Sequence, residues 1–242
     1  MAEDAPQPAP SSALVEEIRG RLSYRYPFAA LNGLAAKRSV SQLVKRQEGT
    51  EREFACQSRP AFLMEAGLTP AERGTALHAF MQYADYERAA RDLQGEQERL
   101  VRQGFLTREQ AEGMDTSRLA DFFKSALYRR MCASPRLQRE VRFLIELPAC
   151  ELDESLPAWG AKETVLVQGI ADCVFEENGK LVILDYKTDR VRDRRVLIEH
   201  YAPQLALYAR ALGETAGLPV AGQLIYSFWL GETIELSSPN NH

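Results

Sequence analysis

The dipeptide Asn178-Gly179 constrains this chain more than any other feature of its sequence. It stands between two apolar, β-branched runs, 164–175 and 181–186. Asn-Gly is the strongest short signal for a tight hairpin turn, because both residues accept the positive φ that such a turn demands. The two runs therefore pair antiparallel, with Glu177 and Lys180 flanking the turn. Each run carries a carboxylate among apolar residues: Asp172 closes Gly169-Ile170-Ala171-Asp172, and Asp185 interrupts Ile183-Leu184-Asp185-Tyr186-Lys187. An ionised carboxylate in such a setting is costly unless it is paired or binds a metal. Two of them on adjacent strands repel and raise one pKa, and a hard divalent cation such as Mg²⁺ removes that conflict. Lys187 lies two residues beyond Asp185 and so shares its strand face. There a cation can orient water and stabilise charge developing on a phosphate. For the Asp185-x-Lys187 triplet alone, a buried ion pair finishing a strand is the readier reading; Asp172 across the turn weighs against it.

The rest of the chain supplies helices to cover that hairpin. Residues 14–130 read as mostly helical, with breaks near Pro27, at 57–60, at Gly95 and at Gly104. The best-marked helix starts with Thr69 as N-cap, Pro70 in the first turn and Glu72 completing a capping box. Leu77, Phe80, Met81 and Ala84 form its apolar stripe, and His78 rides on it. A lone histidine on such a helix is more often a satisfied boundary residue than a ligand. Val141, Phe143, Ile145 and Leu147 alternate with Arg142, Leu144 and Glu146, which predicts a half-buried strand. The spacing predicts a helix over 201–212 with Pro203 in its first turn, then strands at 223–230 and 233–236 about a Gly231-Glu232 turn. The expected fold class is α/β, a mixed central sheet flanked by helices. Residues 1–12 read as a disordered linker or chain edge. Residues 13–242 read as one domain, helical over 13–135 and a sheet core over 136–242.

Composition excludes several functions. The chain has 242 residues, 45% hydrophobic and 26% charged, and contains no uncharged apolar run near the roughly 18 residues needed to cross a bilayer. Its start, MAEDAPQPAP, is unlike a signal peptide, so a cytoplasmic protein without membrane association is expected. The four cysteines form no CxxC pair, which speaks against a zinc ribbon or disulfide framework. No GxxxxGK[ST] loop is present, so the chain carries no ATP site of that kind. A net charge of -4 argues against coating nucleic acid by bulk charge, but leaves two local basic windows, 129–142 and 187–195. Either window alone reads more readily as a solvated face.

Four motifs in order resemble the PD-(D/E)XK nuclease superfamily, and within it the RecB-like branch. Gly74 to His78 is similar to that branch's GxxxH motif, and Gly169 to Asp172 to its G-[IV]-x-D strand. Asp185-Tyr186-Lys187-Thr188 is similar to DYKT, and Gln204 to Ala209 to QxxxYA. Flanking text, including Tyr26-Pro27, the segment 36–41, Arg139-Glu140-Val141 and VQGIADCVFEE, is most similar to the C-terminal nuclease domains of AddA subunits in bacterial AddAB helicase-nucleases. The resemblance implies a restriction-endonuclease-like core. It implies His78, Asp172, Asp185 and the Tyr186 carbonyl as metal ligands, for Mg²⁺ with Mn²⁺ as substitute. Lys187 is the implied catalytic lysine, and Gln204 with Tyr208, at i and i+4 on one helical face, position the site beside it. Some relatives hold an iron-sulfur cluster on four cysteines, three of them after the QxxxY helix. No cysteine here follows Cys173, so no cluster of that layout is expected.

The implied function is hydrolysis of single-stranded DNA, on the 3'-terminated strand, during double-strand-break repair and recombination. The strand would be delivered by a helicase part of the same subunit, beside an AddB-type partner. Arg190, Arg192, Arg194 and Arg195, just beyond Lys187, are the expected DNA-binding residues. Two alternatives stay open at this level: a stand-alone repair or CRISPR-associated nuclease of the same branch, and an inactive module kept for DNA or protein binding.

Overall fold

The computed structural model describes residues 11–24, 35–47, 68–152 and 163–236. In chain order the elements are α1 (Ser12–Leu22), β1 (Lys37–Ser39), α2 (Val40–Gln47), α3 (Pro70–Tyr83), α4 (Tyr86–Arg91), α5 (Leu93–Arg102), α6 (Arg108–Gly113), α7 (Thr116–Lys124), α8 (Ala126–Ala133), β2 (Leu137–Pro148), α9 (Ala149–Leu152), β3 (Thr164–Glu177), β4 (Lys180–Lys187), α10 (Arg194–Ala216), β5 (Val220–Ser227) and β6 (Glu232–Leu236). The chain divides into two compact units. Residues 1–36 with 147–165 form one, and residues 37–146 with 166–242 form the other. The second holds every candidate site residue named above.

The expected hairpin organises the sheet. Asn178 and Gly179 take φ of 53° and 73°, and β3 pairs antiparallel with β4 from Glu177–Lys180 to Cys173–Leu184. The six strands run in the order β1-β3-β4-β5-β6, with β2 also on β3. Pairing is parallel for β1–β3 and β4–β5 and antiparallel for β3–β4 and β5–β6. The parallel β4–β5 step needs a crossover, and α10 supplies it. This is the mixed, helix-flanked sheet that the sequence predicts.

Strand alternation sends the two sheet faces to different surroundings. Cys173 and Phe175 of β3, Val182, Leu184 and Tyr186 of β4, and Leu224 and Tyr226 of β5 are buried against Phe80, Leu100, Leu119, Phe122, Leu127 and Met131 from the helices α3 to α8. Phe122 is the hub. Its ring meets Tyr86, Phe123, Tyr128, Tyr186, Tyr226 and Phe228 at centroid distances of 4.9 to 6.3 Å. On the other face α10 packs along β4, β5 and α2, burying Leu205, Tyr208, Ala211 and Leu212.

The capping box at Thr69 forms as expected: Glu72 N–H donates to Thr69 Oγ1 at 3.2 Å, and Thr69 N–H donates to Glu72 Oε2 at 2.7 Å. Several boundaries differ from the sequence reading. α10 begins at Arg194, so Pro203 stands inside the helix rather than in its first turn. Its ring side is exposed, and the buried Leu197 before it and Leu205 after it hold both halves down despite the lost hydrogen bond. Gly95 lies within α5. The break falls at Asp92, which ends α4 and accepts from Gly95 N–H at 2.9 Å. The strand expected over 223–230 stops at Ser227, where Gly231 N–H closes a turn on the Ser227 carbonyl. Strand β1, three residues long, is too short for alternation to reveal. Residues 1–10 and the expected breaks at Pro27 and 57–60 lie outside the described residues. Among the described residues, no helix is long and apolar enough to cross a membrane.

Candidate active site

Strand β4 presents Asp185 and Lys187 on the face opposite Leu184 and Tyr186. Asp185 is 2% exposed, and Lys187 Nζ lies 2.5 Å from its Oδ2. Lys187 is thus the one charged partner of this buried oxygen among the described residues. Burial raises the Asp185 pKa to about 7; the Lys187 charge opposes the shift, and the Asp172 charge adds to it.

Asp172 stands where β3 leaves β4. The ladder ends at Cys173–Leu184, and two residues on the Tyr186 N–H donates to Asp172 Oδ2 at 2.8 Å. The carboxylate thus takes the place of a backbone acceptor. Residues in a sheet direct their N–H and C=O to the same side, so the Tyr186 carbonyl faces β3 at this point. The other oxygen of Asp172, Oδ1, lies 3.3 Å from His78 Nδ1. Burial alone would raise the Asp172 pKa; His78, the Tyr186 N–H and Lys187 outweigh it and hold the group below the usual range. His78 moves the other way. Burial lowers its pKa, but the hydrogen bond and charge of Asp172 raise it by more.

The approach of α3 is set by Gly74. A Cβ there would come within 3.2 Å of Thr188 Oγ1, so the glycine lets the helix close on the end of β4 and delivers His78, one turn on, to Asp172. From α10, Gln204 Nε2 donates to the Tyr208 hydroxyl at 2.7 Å. Burial first, then the Asp185 charge, raises the Tyr208 pKa, so this hydroxyl lies within the field of the carboxylates. The structure therefore brings together His78, Asp172, Asp185, Lys187, Gln204 and Tyr208.

It does not do the same for the arginines. Arg190 lies 5.0 Å from the centre of the Trp229 ring. Arg192, Arg194 and Arg195 are exposed, and none of the four makes an ion pair with the two carboxylates. The window 129–142 is partly structural. Arg130 grips Glu177 through two hydrogen bonds of 3.0 and 2.8 Å, and Arg139 donates to the Met81 and Ala84 carbonyls.

Two residues join the site that the sequence reading gave no role there. Glu140 of β2 has φ of 52°; burial and the Asp172 charge raise its pKa, with His78 opposing. Only a glycine or asparagine would have signalled that backbone. Tyr201 of α10 sets its ring 4.0 Å from Lys187 Nζ and donates to Asp189 Oδ2 at 3.1 Å. Its spacing from Gln204 and Tyr208, at i+3 and i+7, was the available clue.

Among the described residues, no three or more His, Cys, Asp or Glu side chains stand ready as a metal cage. The donors are arranged in pairs, His78 with Asp172 and Asp185 with Lys187. Their chemistry nonetheless suits a hard cation: a buried carboxylate, a second carboxylate beside it and an imidazole edge.

Residues 44–234 match the family model of the PD-(D/E)XK nuclease superfamily. The chain belongs to that superfamily. It is a nuclease domain, a hydrolase by family. It is also 39% identical over 236 residues to the AddA subunit, an ATP-dependent helicase/nuclease, of Acetivibrio thermocellus, covering 92% of this chain and 19% of that protein. The same-named subunits of Geobacillus thermodenitrificans and Clostridium acetobutylicum are 38% and 31% identical, over 88% and 93% of this chain. The nuclease domain spans about one fifth of the length of these relatives.

Proposed function

We propose that this nuclease domain hydrolyses single-stranded DNA with the help of a divalent cation, Mg²⁺ or in its place Mn²⁺. The observation that carries the proposal is the pairing of half-buried Asp172 with buried Asp185 at the open end of the hairpin, with His78 against one carboxylate and Lys187 against the other. His78, Asp172, Asp185 and the Tyr186 carbonyl are the residues that would hold the cation. Bound there, it would supply a Lewis acid for the phosphoryl oxygen and lower the pKa of water.

The chain's own residues do the rest. Asp185, buried with its pKa raised to about 7, gives up its proton near neutral pH, and a bound cation would favour that loss. Lys187 holds its ammonium beside that carboxylate, steadied by the Tyr201 ring, where it can orient a water and meet charge growing on the phosphate. Tyr208, fixed by Gln204, offers its hydroxyl as a neutral donor. The low dielectric of the site strengthens each of these interactions.

The domain acts, in this reading, as the nuclease portion of a helicase-nuclease in double-strand-break repair, cutting the 3'-terminated strand. The motor part of the same subunit feeds it, and an AddB-type subunit is its partner. The support is that the relatives are ATP-dependent helicase/nucleases, of whose length this chain covers only the share of one domain.

The test is end-labelled linear single-stranded DNA with Mg²⁺, beside Asp185→Ala. Mg²⁺-dependent cleavage lost in the variant supports the proposal; cleavage that persists in chelator or in Asp185→Ala overturns it. Calorimetry separates the roles. Lys187→Ala should retain Mg²⁺ affinity while slowing cleavage, and an equal loss of affinity in both variants would assign the lysine to metal binding instead.

A further inference from the structure

We infer that the cleft beside the carboxylates, floored by Trp229, is a stacking subsite for one unpaired base of the DNA strand, with Arg190 and Arg118 as its cationic walls. The inference rests on the single-strand reading above and adds to it a place for a base next to the scissile phosphate.

The cleft measures about 540 Å³, enough to seat a base and its sugar. Its walls come from the same two elements that build the site. Gly74 and Leu77 of α3 precede His78 by one turn or less, while Thr188, Asp189 and Arg190 follow Lys187 directly. A strand whose phosphate reaches Lys187 therefore has its neighbouring nucleotide within reach of this cleft, since the chain advances only about 3.3 Å per residue from Lys187 to Arg190.

Three observations favour a base over an apolar peptide or a free phosphate. The first is Trp229, which is 37% exposed beside strand residues that are buried; an aromatic ring reached from solvent, with only an exposed side chain to displace from it, is what a base stacks on. The second is the way that ring is held. Arg118 donates to the carbonyls of both Phe228 and Trp229 and is itself fixed by Asp115 Oδ2 at 2.9 Å. Its guanidinium lies 4.2 Å from the ring centre, so the platform is set before any ligand arrives. The third is Arg190, exposed and without a hydrogen bond or ion pair among the described residues, and held only over the ring at 5.0 Å. A base can take its place there, and the freed guanidinium can then turn to the phosphate of the same nucleotide. The cleft is lined by Arg73, Arg118 and Arg190 against Asp115 and Asp189, and Asp115 is already paired with Arg118, so its net charge is positive.

The chain has two tryptophans, Trp159 and Trp229, so a Trp159→Phe variant leaves one reporter. The experiment titrates this variant in chelator with (dT)10 and with an all-abasic decamer of equal charge, following tryptophan fluorescence and affinity. Quenching by (dT)10 with about tenfold tighter binding than the abasic strand, a preference lost on adding Trp229→Ala and kept with Trp229→Phe, supports the subsite. Equal binding of the two strands without quenching overturns it. Should Trp229→Ala fail to fold, the comparison of the two strands on the Trp159→Phe protein decides alone. The same preparation is assayed with Mg²⁺ on labelled (dT)20. Cleavage without a base preference removes only the subsite, whereas absence of cleavage removes the single-strand reading on which it rests.

Discussion

The two faces of β4 differ by one residue of register and by almost everything else. On one, Leu184 and Tyr186 join an aromatic cluster in which the rings of Phe122, Tyr226 and Phe228 lie edge to face or tilted. On the other, Asp185 and Lys187 form a largely buried ion pair beside a second carboxylate. The first face stabilises the fold by packing and apolar burial. The second lowers stability to keep a charge where chemistry requires it, a division expected of sites that hold perturbed groups in clefts. A single strand can do both because its period of two keeps the faces independent.

The sharpest way to separate the faces is to neutralise Asp185. Asp185→Asn should reduce cleavage by on the order of a thousandfold or more, as loss of a metal-binding carboxylate removes several kcal/mol of transition-state stabilisation. In chelator above pH 7 the same variant should melt at a higher temperature than the parent. A fall in melting temperature would show that Asp185 belongs energetically with the packed face.

Phe122→Ala is the converse. It should cost about 3–5 kcal/mol of stability, the usual range for removing a buried phenylalanine, measured by denaturant unfolding. Under conditions where the variant is folded, Mg²⁺ affinity should remain near that of the parent. A parallel loss of affinity would mean that the faces are coupled.

A smaller effect separates them by pH. A carboxyl whose folded-state pKa lies above its unfolded value keeps a proton that the unfolded chain has released. Between the ordinary carboxylate range and about 7, the value burial gives Asp185, stability in chelator should therefore fall as pH rises. Asp172, held low, contributes with the opposite sign, and its stabilisation is lost as pH falls through its own depressed pKa. Melting curves of the parent and Asp185→Asn across this range test the assignment: Glu140 and His78, whose pKa values are also raised, give a decline of the same sign in both proteins, so the parent should show the steeper one.

The smallest effect should come from Arg130→Ala. It removes a half-exposed ion pair with Glu177, worth about 0.2–1 kcal/mol, and should leave single-stranded DNA affinity unchanged. A marked loss of affinity, read by fluorescence anisotropy, would return the 129–142 window to the DNA path.

What the sequence showed of this molecule follows from which signals are local. Asn178-Gly179 and the apolar runs around it located the hairpin, and strand parity then placed Asp185 with Lys187. Thr69, Pro70 and Glu72 located the start of α3, while the pairing of His78 with Asp172 came from family resemblance and not from spacing. Pro203 misled because a proline is best tolerated in a first turn, and only tertiary burial of Leu197 and Leu205 overrides that preference. Glu140 stood only within flanking text shared with the family, since neither its residue type nor its place in an alternating strand announces a left-handed backbone. The basic window around Arg130 and Arg139 read as a solvated face; a bidentate contact and two carbonyl caps made by residues distant in sequence are not written in composition.

The bond from Tyr186 N–H to Asp172 Oδ2 makes one side chain answer to two masters. One oxygen completes the hairpin's ladder, while the other faces His78. Whatever draws the carboxylate toward or away from the cleft must therefore lengthen or shorten a backbone hydrogen bond. The Tyr186 amide proton becomes a built-in gauge of occupancy, its resonance frequency and solvent exchange rate tied to the electrostatics of the site without any attached label.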